Sequence, residues 1–169
     1  MVSDTHGFVH PRLAEVFAGV DHILHAGDIG GRDVLASVAA IAPVTAVAGN
    51  IDGFRCGDAG EEARVTLGGL RFYVTHTLPN PSRPDRRVAD ALQQEPADVV
   101  VFGHSHLPHN ERIGDLWFFN PASAGPRRFD YPVSVGIFVR VRGRWTARHV
   151  ALDERSVAAL GTRMNQLSR

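Results

Sequence analysis

The chain has 169 residues, 44% apolar and 21% charged, which excludes a disordered polymer and fits a single domain over 1–169. Lys plus Arg and Asp plus Glu number 18 each, so the formal net charge is zero and gives no bulk positive field for nucleic acid. No apolar run reaches the roughly 20 residues of a membrane helix, the start reads without a secretory leader, and the single Cys56 fits a reducing, cytoplasmic compartment.

Asp4 is expected to close a buried strand, yet only Met1-Val2-Ser3 stand before it, where a strand usually has about 5–6 residues. The first strand therefore reads as truncated. Short β-branched runs at 22–26, 44–48 and 98–102 predict buried strands. Between them, 11–19 carries Leu13, Val16 and Phe17 on one helical face, 32–41 carries Val34, Leu35, Val38 and Ile41, and 83–94 carries Val88, Ala91 and Leu92. Strand–helix–strand alternation predicts right-handed crossovers and a largely parallel sheet. Three hairpins are predicted: 65–67 with 70–75 around Gly68-Gly69, 110–113 with 116–119 around Gly114-Asp115, and 133–141 with 144–152 around Arg142-Gly143. From Asp153 the pattern predicts a capped amphipathic helix with Val157, Leu160 and Met164 on one side. These elements imply an α/β fold of two packed sheets with helices outside.

The unusual count is nine histidines, most beside Asp, Gly or Asn at the ends of apolar runs. Asp4-Thr5-His6, Gly27-Asp28, Gly49-Asn50-Ile51-Asp52 and Gly103-His104-Ser105-His106 each close a predicted strand, and Thr75-His76 ends a hairpin strand. Loops at the carboxyl ends of α/β strands converge on one rim, and Gly27, Gly49 and Gly103 let the backbones come close together. Carboxylate, amide oxygen and imidazole together suit Mn, Fe or Zn rather than Ca or Mg alone. Asp4-x-His6 and His104-x-His106 each place two ligands on one side of an extended segment. Two ions about 3.5–4 Å apart clamp both the attacking and the leaving oxygen of an in-line displacement at phosphorus.

This ordered set resembles the calcineurin-like metallophosphoesterases, in particular the small bacterial and archaeal phosphodiesterases of the YfcE type, from Val2 to about Arg128. The resemblance implies a four-layer α/β/β/α sandwich holding two divalent ions, Mn2+ first, with Fe, Zn and Ni as alternatives. It implies that Asp4, His6, Asp28 and His106 hold one ion and that Asp28 bridges to a second, completed by Asn50, His76 and His104. Asn120-Pro121-Ala122-Ser123, followed by Pro126-Arg127, resembles a later family segment that shapes the site from behind. Ile51 stands where many members have a histidine thought to protonate the leaving group; the small phosphodiesterase branch also lacks that histidine. Thr77 and Ala122 stand where glycines are common, and 27–31 lacks the Asp-Arg-Gly continuation of the protein serine/threonine phosphatases.

The implied reaction is phosphodiester hydrolysis with a metal-bound hydroxide as nucleophile. Asp28, Asn50 and His104 are expected at the reacting phosphate, and neutral Asn50 would hold its ion without repelling an anionic substrate. Asp52 is expected to orient a ligand histidine or, equally, to be a turn residue before Gly53. Arg55, Arg83, Arg86, Arg87, Arg127 and Arg128 lie in loops near the motifs, and Arg127 is the expected phosphate contact. His25 is expected at the rim, while His10, His22, His109 and His149 read as surface or structural residues. Phosphomonoester or dinucleoside polyphosphate hydrolysis at the same metals is the narrower alternative. The other is a non-catalytic scaffold, the role of the eukaryotic retromer subunit that shares this fold; a scaffold has no need of seven ligands. A small phosphoester is the expected partner, and the resemblance implies a homodimer through an exposed hairpin.

Overall fold

The computed structural model describes residues 1–56, 59–157 and 160. In chain order these form α1 (Leu13–Val16), β1 (Ile23–His25), α2 (Arg32–Ala39), β2 (Val44–Ala46), a 3-10 turn (Gly53–Cys56), β3 (Glu62–Leu67) and β4 (Leu70–Thr75). Then come α3 (Arg86–Gln94), β5 (Val99–Val101), β6 (Pro108–Ile113), β7 (Leu116–Pro121), β8 (Ser134–Val141) and β9 (Arg144–Ala151).

One sheet has the strand order β3-β4-β5-β7-β6. Its centre, β4-β5-β7, is parallel, while β3 and β6 are antiparallel edges closed by the predicted hairpins. The sheet is therefore mixed: strand–helix–strand alternation makes its centre parallel, and the predicted hairpins add antiparallel edges, because two-residue turns can join only antiparallel neighbours. The second layer assembles β1 and β2, which are parallel, with the β8-β9 hairpin. The N-terminal segment links the two. Val2 bridges His25 in parallel, and Met1 exchanges two backbone hydrogen bonds with Gly136, at 2.7 and 2.9 Å.

Strand alternation sorts the side chains into layers. Phe72 and Val74, Val99 and Val101, and Trp117 and Phe119 face Met1, Leu24, Ala26 and Val47 between the sheets. Their alternate neighbours Tyr73, Val100 and Phe118 pack instead on Val88 of α3. On the far side, Leu13 and Phe17 near α1, and Val34 and Val38 of α2, cover Val2, Ile23, Val133 and Val135. The order is thus helix, sheet, sheet, helix. Full burial of each such aliphatic side chain stabilises by about 1.5–3 kcal/mol.

The helices are shorter than the sequence pattern suggests, while β3, β6 and β7 run longer. α3 begins at Arg86 rather than 83, because Asp85 caps it by accepting from Val88 N at 3.0 Å. α1 is one turn, followed by Gly19 at φ 76°, a value that ends right-handed helix. In the tail, 154–157 is helical, but Val157 is 63% exposed while Leu160 is buried, so the two do not share a face as expected. Met164 lies outside the described residues.

Candidate metal centre

Five loops converge where both sheets present carboxyl ends. Residues 4–7 leave the N-terminal segment, 27–30 leave β1, and 48–52 leave β2. From the other sheet, His76 leaves β4 and 103–106 leave β5. The layers can approach this closely because each motif glycine stands against a side chain of another motif. A Cβ on Gly49 would lie 2.2 Å from Asp28 Oδ1, one on Gly103 2.0 Å from Ser3 Oγ and 2.8 Å from Asp4 Oδ2, and one on Gly27 2.6 Å from His76 Nδ1.

The seven expected ligands fall into two adjoining groups. Asp4, His6 and His106 form one set, and Asp28, His76 and His104 a second, with ligand atoms in each set within 4.8 Å of one another. Asp28 faces both: Oδ2 lies 3.6 Å from His6 Nε2, and Oδ1 lies 3.3 Å from His76 Nε2. Asn50 joins the second set, its Oδ1 3.1 Å from His76 Nε2 and 3.0 Å from His104 Nδ1. Asp4, His6, Asp28, His104 and His106 all have left-handed backbones, with φ between 49° and 67°. That conformation costs an L residue about 1–2 kcal/mol, and such strain persists only where the surroundings over-determine it.

The donor chemistry fits cations. His76 Nδ1 donates to Ala26 O at 2.7 Å, which leaves Nε2 as the ring atom available to a cation, and it faces two oxygens. In the first set the two Nε2 atoms of His6 and His106 face each other at 3.2 Å. Asp4 is fully buried; its Oδ2 accepts from Ser3 Oγ at 2.6 Å and His104 N at 3.1 Å, while Oδ1 has no hydrogen-bond partner and lies 3.4 Å from His106 Nε2. Burial pushes the Asp4 carboxyl up to about 7 against these hydrogen bonds. Burial, with the Arg128 charge behind it, lowers His6, and lowers His106 to about 4, so both rings are neutral and able to ligate. A buried carboxylate oxygen without a donor, ringed by neutral imidazoles, is satisfied by a metal ion.

Three expectations need correction. Among the described residues Asp52 hydrogen-bonds no imidazole, so the turn reading stands and the histidine-orienting one does not. It accepts from Ile29 N (3.0 Å), Gly30 N (2.8 Å), Gly49 N (2.8 Å) and Cys56 Sγ (3.2 Å), so it fastens the loop after β1 to the loop after β2. Burial opposes its charge, but these donors outweigh burial and hold its carboxyl below the usual range. Arg127 does not face the ligand groups: Nη2 lies 2.7 Å from both Asp153 oxygens and 2.9 Å from Ser156 Oγ, while Nη1 donates to Tyr131 O. Arg128 is the arginine at the site, with Nη2 3.4 Å from His6 Nε2. His25 is fully buried rather than at the rim. Its Nε2 lies 3.0 Å from Thr5 Oγ1, and burial lowers its pKa to about 3.

Of the other arginines expected in loops, Arg86 and Arg87 lie in α3 and pair with Asp90 and Glu62, Arg83 is exposed, and the Arg55 side chain lies outside the described residues. Asn120 Nδ2 donates to Gly103 O at 2.9 Å and Ser105 Oγ at 3.2 Å, holding the His104–His106 loop from behind. Ser3 was not legible as a site residue, since a serine before an aspartate carries no signal of its own. A cavity of about 500 Å3 opens beside the second group, lined by Asn50, His76, Thr77, Gly60, Glu61 and Arg87. Ile51 is 41% exposed, and its N–H donates to Asp28 Oδ1 at 3.1 Å.

Comparison with known proteins places this geometry in context. The sequence model of the calcineurin-like phosphoesterase superfamily domain matches residues 1–141. A "probable metallophosphoesterase" of Methanothermobacter thermautotrophicus is 29% identical over 143 residues, covering 80% of this chain and 82% of that protein. Phosphodiesterase YfcE of Escherichia coli is 36% identical over 75 residues, 44% of this chain and 37% of YfcE. Among solved structures, a conserved Streptococcus pneumoniae protein described as a predicted phosphoesterase matches with TM-score 0.69 and 22% identity, over 90% of this chain and 87% of its own. Wild-type Vps29 of Entamoeba histolytica, complexed with Zn2+, matches with TM-score 0.65 and 20% identity, over 90% and 97%. At these identities the structural likeness establishes the fold.

Proposed function

Because the chain belongs to the calcineurin-like phosphoesterase superfamily, we propose that it is a hydrolase of phosphodiesters that works with two divalent ions, Mn2+ first among them. The observation that carries this reading is Asp28, which turns one carboxylate oxygen to each of two adjoining ligand groups. When bound, two such ions would activate a water and polarise a phosphoryl oxygen.

The chain's own residues prepare that chemistry. Ser3 and the His104 N–H occupy one oxygen of Asp4 and leave the other to the centre. Ala26 O fixes the His76 tautomer, so its ring cannot rotate away from Asp28 and Asn50. Asn50 supplies an oxygen without adding negative charge beside an anionic substrate. Ile51 offers no proton, so esters with good leaving groups are the favoured substrates and the rate falls steeply as leaving-group pKa rises. The cavity beside Asn50 and His76 is of a size that takes an ester arm.

The test is hydrolysis of bis-p-nitrophenyl phosphate after chelation, with Mn2+ added back, for the wild type and Asp28→Asn. Activity restored by metal and lost in the variant supports the proposal. A folded, metal-loaded chain that hydrolyses neither this diester nor p-nitrophenyl phosphate refutes it, and a strong preference for the monoester replaces diesterase with monoesterase.

A further inference from the structure

We infer that Arg128 receives the phosphoryl oxygens of the substrate, and that Arg127 holds in place the loop that presents it; the inference rests on the phosphoesterase reading and deepens it. The two neighbouring arginines have opposite fates. Arg127 is consumed by a carboxylate, a hydroxyl and a carbonyl. Arg128 is exposed, and among the described residues no carboxylate lies within ion-pair range of it. Its contacts are with His6, at 3.4 Å to Nε2 and 3.5 Å to Nδ1, too long to satisfy a guanidinium donor well. The remaining N–H groups of its planar fork therefore stand at the mouth of the Asp4–His6–His106 group with no partner among the described residues.

The loop's root fixes that position. Ser123 Oγ donates to Asp4 O at 2.8 Å and Gly125 N to the same oxygen at 3.1 Å, and a Cβ on Gly125 would lie 2.5 Å from it. One short stretch thus ties the backbone of a ligand carboxylate to the loop carrying the arginine. Its other end is clamped by Arg127 to Asp153 and Ser156.

Charge then selects the ligand. A permanent cation set beside a cation-binding group gains from that location only when an anion lies between them. A phosphodiester supplies two non-bridging oxygens, one for the centre and one for the fork, and a guanidinium N–H donates a strong, charge-assisted hydrogen bond to such an oxygen. A carboxylate or sulfate on a metabolite would satisfy the charge but offers no scissile phosphorus, so inorganic phosphate is the relevant probe.

The experiment titrates inorganic phosphate into the metal-loaded chain by calorimetry. Hydrolysis of bis-p-nitrophenyl phosphate and metal content per chain are measured alongside, for wild type, Arg128→Ala, Arg128→Lys and Arg127→Ala. Arg128→Ala is expected to weaken phosphate binding by about 10- to 100-fold, the loss typical of a hydrogen bond to a charged group. It should lower kcat/KM by a similar factor at unchanged metal content, with Lys restoring part of both because it keeps the charge but not the fork. Arg127→Ala is expected to lower thermal stability and to weaken phosphate binding less. Phosphate affinity and kcat/KM within about twofold of wild type in Arg128→Ala overturn the inference, as does a loss matched by lost metal. Phosphate binding that depends on Arg128 in a chain that hydrolyses nothing would keep the anchor and discard the hydrolase reading. Hydrolysis indifferent to Arg128 would do the reverse.

Discussion

Gly49 stands so close to Asp28 that a Cβ on it would lie 2.2 Å from both the backbone nitrogen and Oδ1 of that aspartate. The glycine is not required for its own φ, since 49 is absent from the positive-φ positions. Its requirement is space. Asp28 is the residue shared by both ligand groups, so a methyl group at 49 acts on the centre rather than on the turn. Gly49→Ala is expected to lower bound divalent metal below two per chain and to cut diesterase activity at least 100-fold. Its stability cost should be only about 1–3 kcal/mol, the usual range for overpacking. Metal analysis beside thermal unfolding checks this. Full metal loading with lost activity would show that the crowding acts elsewhere.

Removal of metal gives an independent reading of the same groups. The chain buries Asp4 with one oxygen unpartnered, and the left-handed ligand backbones are strained. Cations that bind the native state only should therefore stabilise it, by about 2.7 kcal/mol at a concentration 100 times Kd. At that concentration the chelated chain is expected to melt about 5–11 °C below the Mn2+-loaded one, scaled for a chain of this size. Ca2+ should restore little of this, because imidazole donors suit Mn, Fe or Zn better. Equal protection by Ca2+, or protection unchanged in Asp28→Asn, would argue against the mixed nitrogen and oxygen centre.

How far the sequence revealed this centre follows from what each residue type needs. That Asp4, His6, Asp28, Asn50, His76, His104 and His106 come together was legible, because a candidate metal centre calls for particular side chains at the ends of strands. Those ends were marked by glycine and by β-branched runs. The layer order was legible because Phe72, Tyr73 and Val74 alternate between two cores. Arg127, His25 and the histidine-orienting reading of Asp52 failed for a common reason. Each is a polar residue in or beside a motif, and partners from elsewhere claim it: the Ile29 and Gly30 backbone for Asp52, Asp153 across 26 residues for Arg127, and Thr5 for His25. Adjacency in sequence does not say which way a side chain turns. The difference between Arg127 and Arg128 is a single residue's step along a loop, and only the fold decides it.

The clamp on that loop has a pH signature. Burial alone would raise the Asp153 carboxyl, but Ser156 and Arg127 outweigh it and hold it below the usual carboxylate range. A group depressed in the folded state contributes stability above its unfolded pKa, near 3.8, and loses it as pH falls through the lower folded value. Asp153→Ala is thus expected to cost about 1–2 kcal/mol at pH 7, combining a lost cap at Ser156 N with a partly exposed ion pair. The gap between the two proteins should be constant from pH 7 to about 5 and narrow below pH 4. Denaturant unfolding at several pH values measures it. A gap that persists undiminished at pH 2.5 would mean that charge on Asp153 plays no part.

Thr77 tests where the substrate's ester arm lies. It lines the cavity of about 500 Å3 together with Asn50 and His76, and its backbone oxygen accepts from Arg87, a bond that substitution of the side chain leaves available. Two diesters with the same p-nitrophenolate leaving group isolate the effect: methyl p-nitrophenyl phosphate has a small arm, and thymidine 5′-p-nitrophenyl phosphate a large one. Thr77→Phe fills part of the cavity and is expected to lower kcat/KM for the large diester by about 10-fold or more. This is the scale on which a pocket discriminates by a few carbon atoms. The small diester should stay within about twofold. Equal losses on both substrates, with His76 as the immediate neighbour, would mean that the ring had been displaced. A large diester that Thr77→Phe leaves unaffected would place the arm outside this cavity.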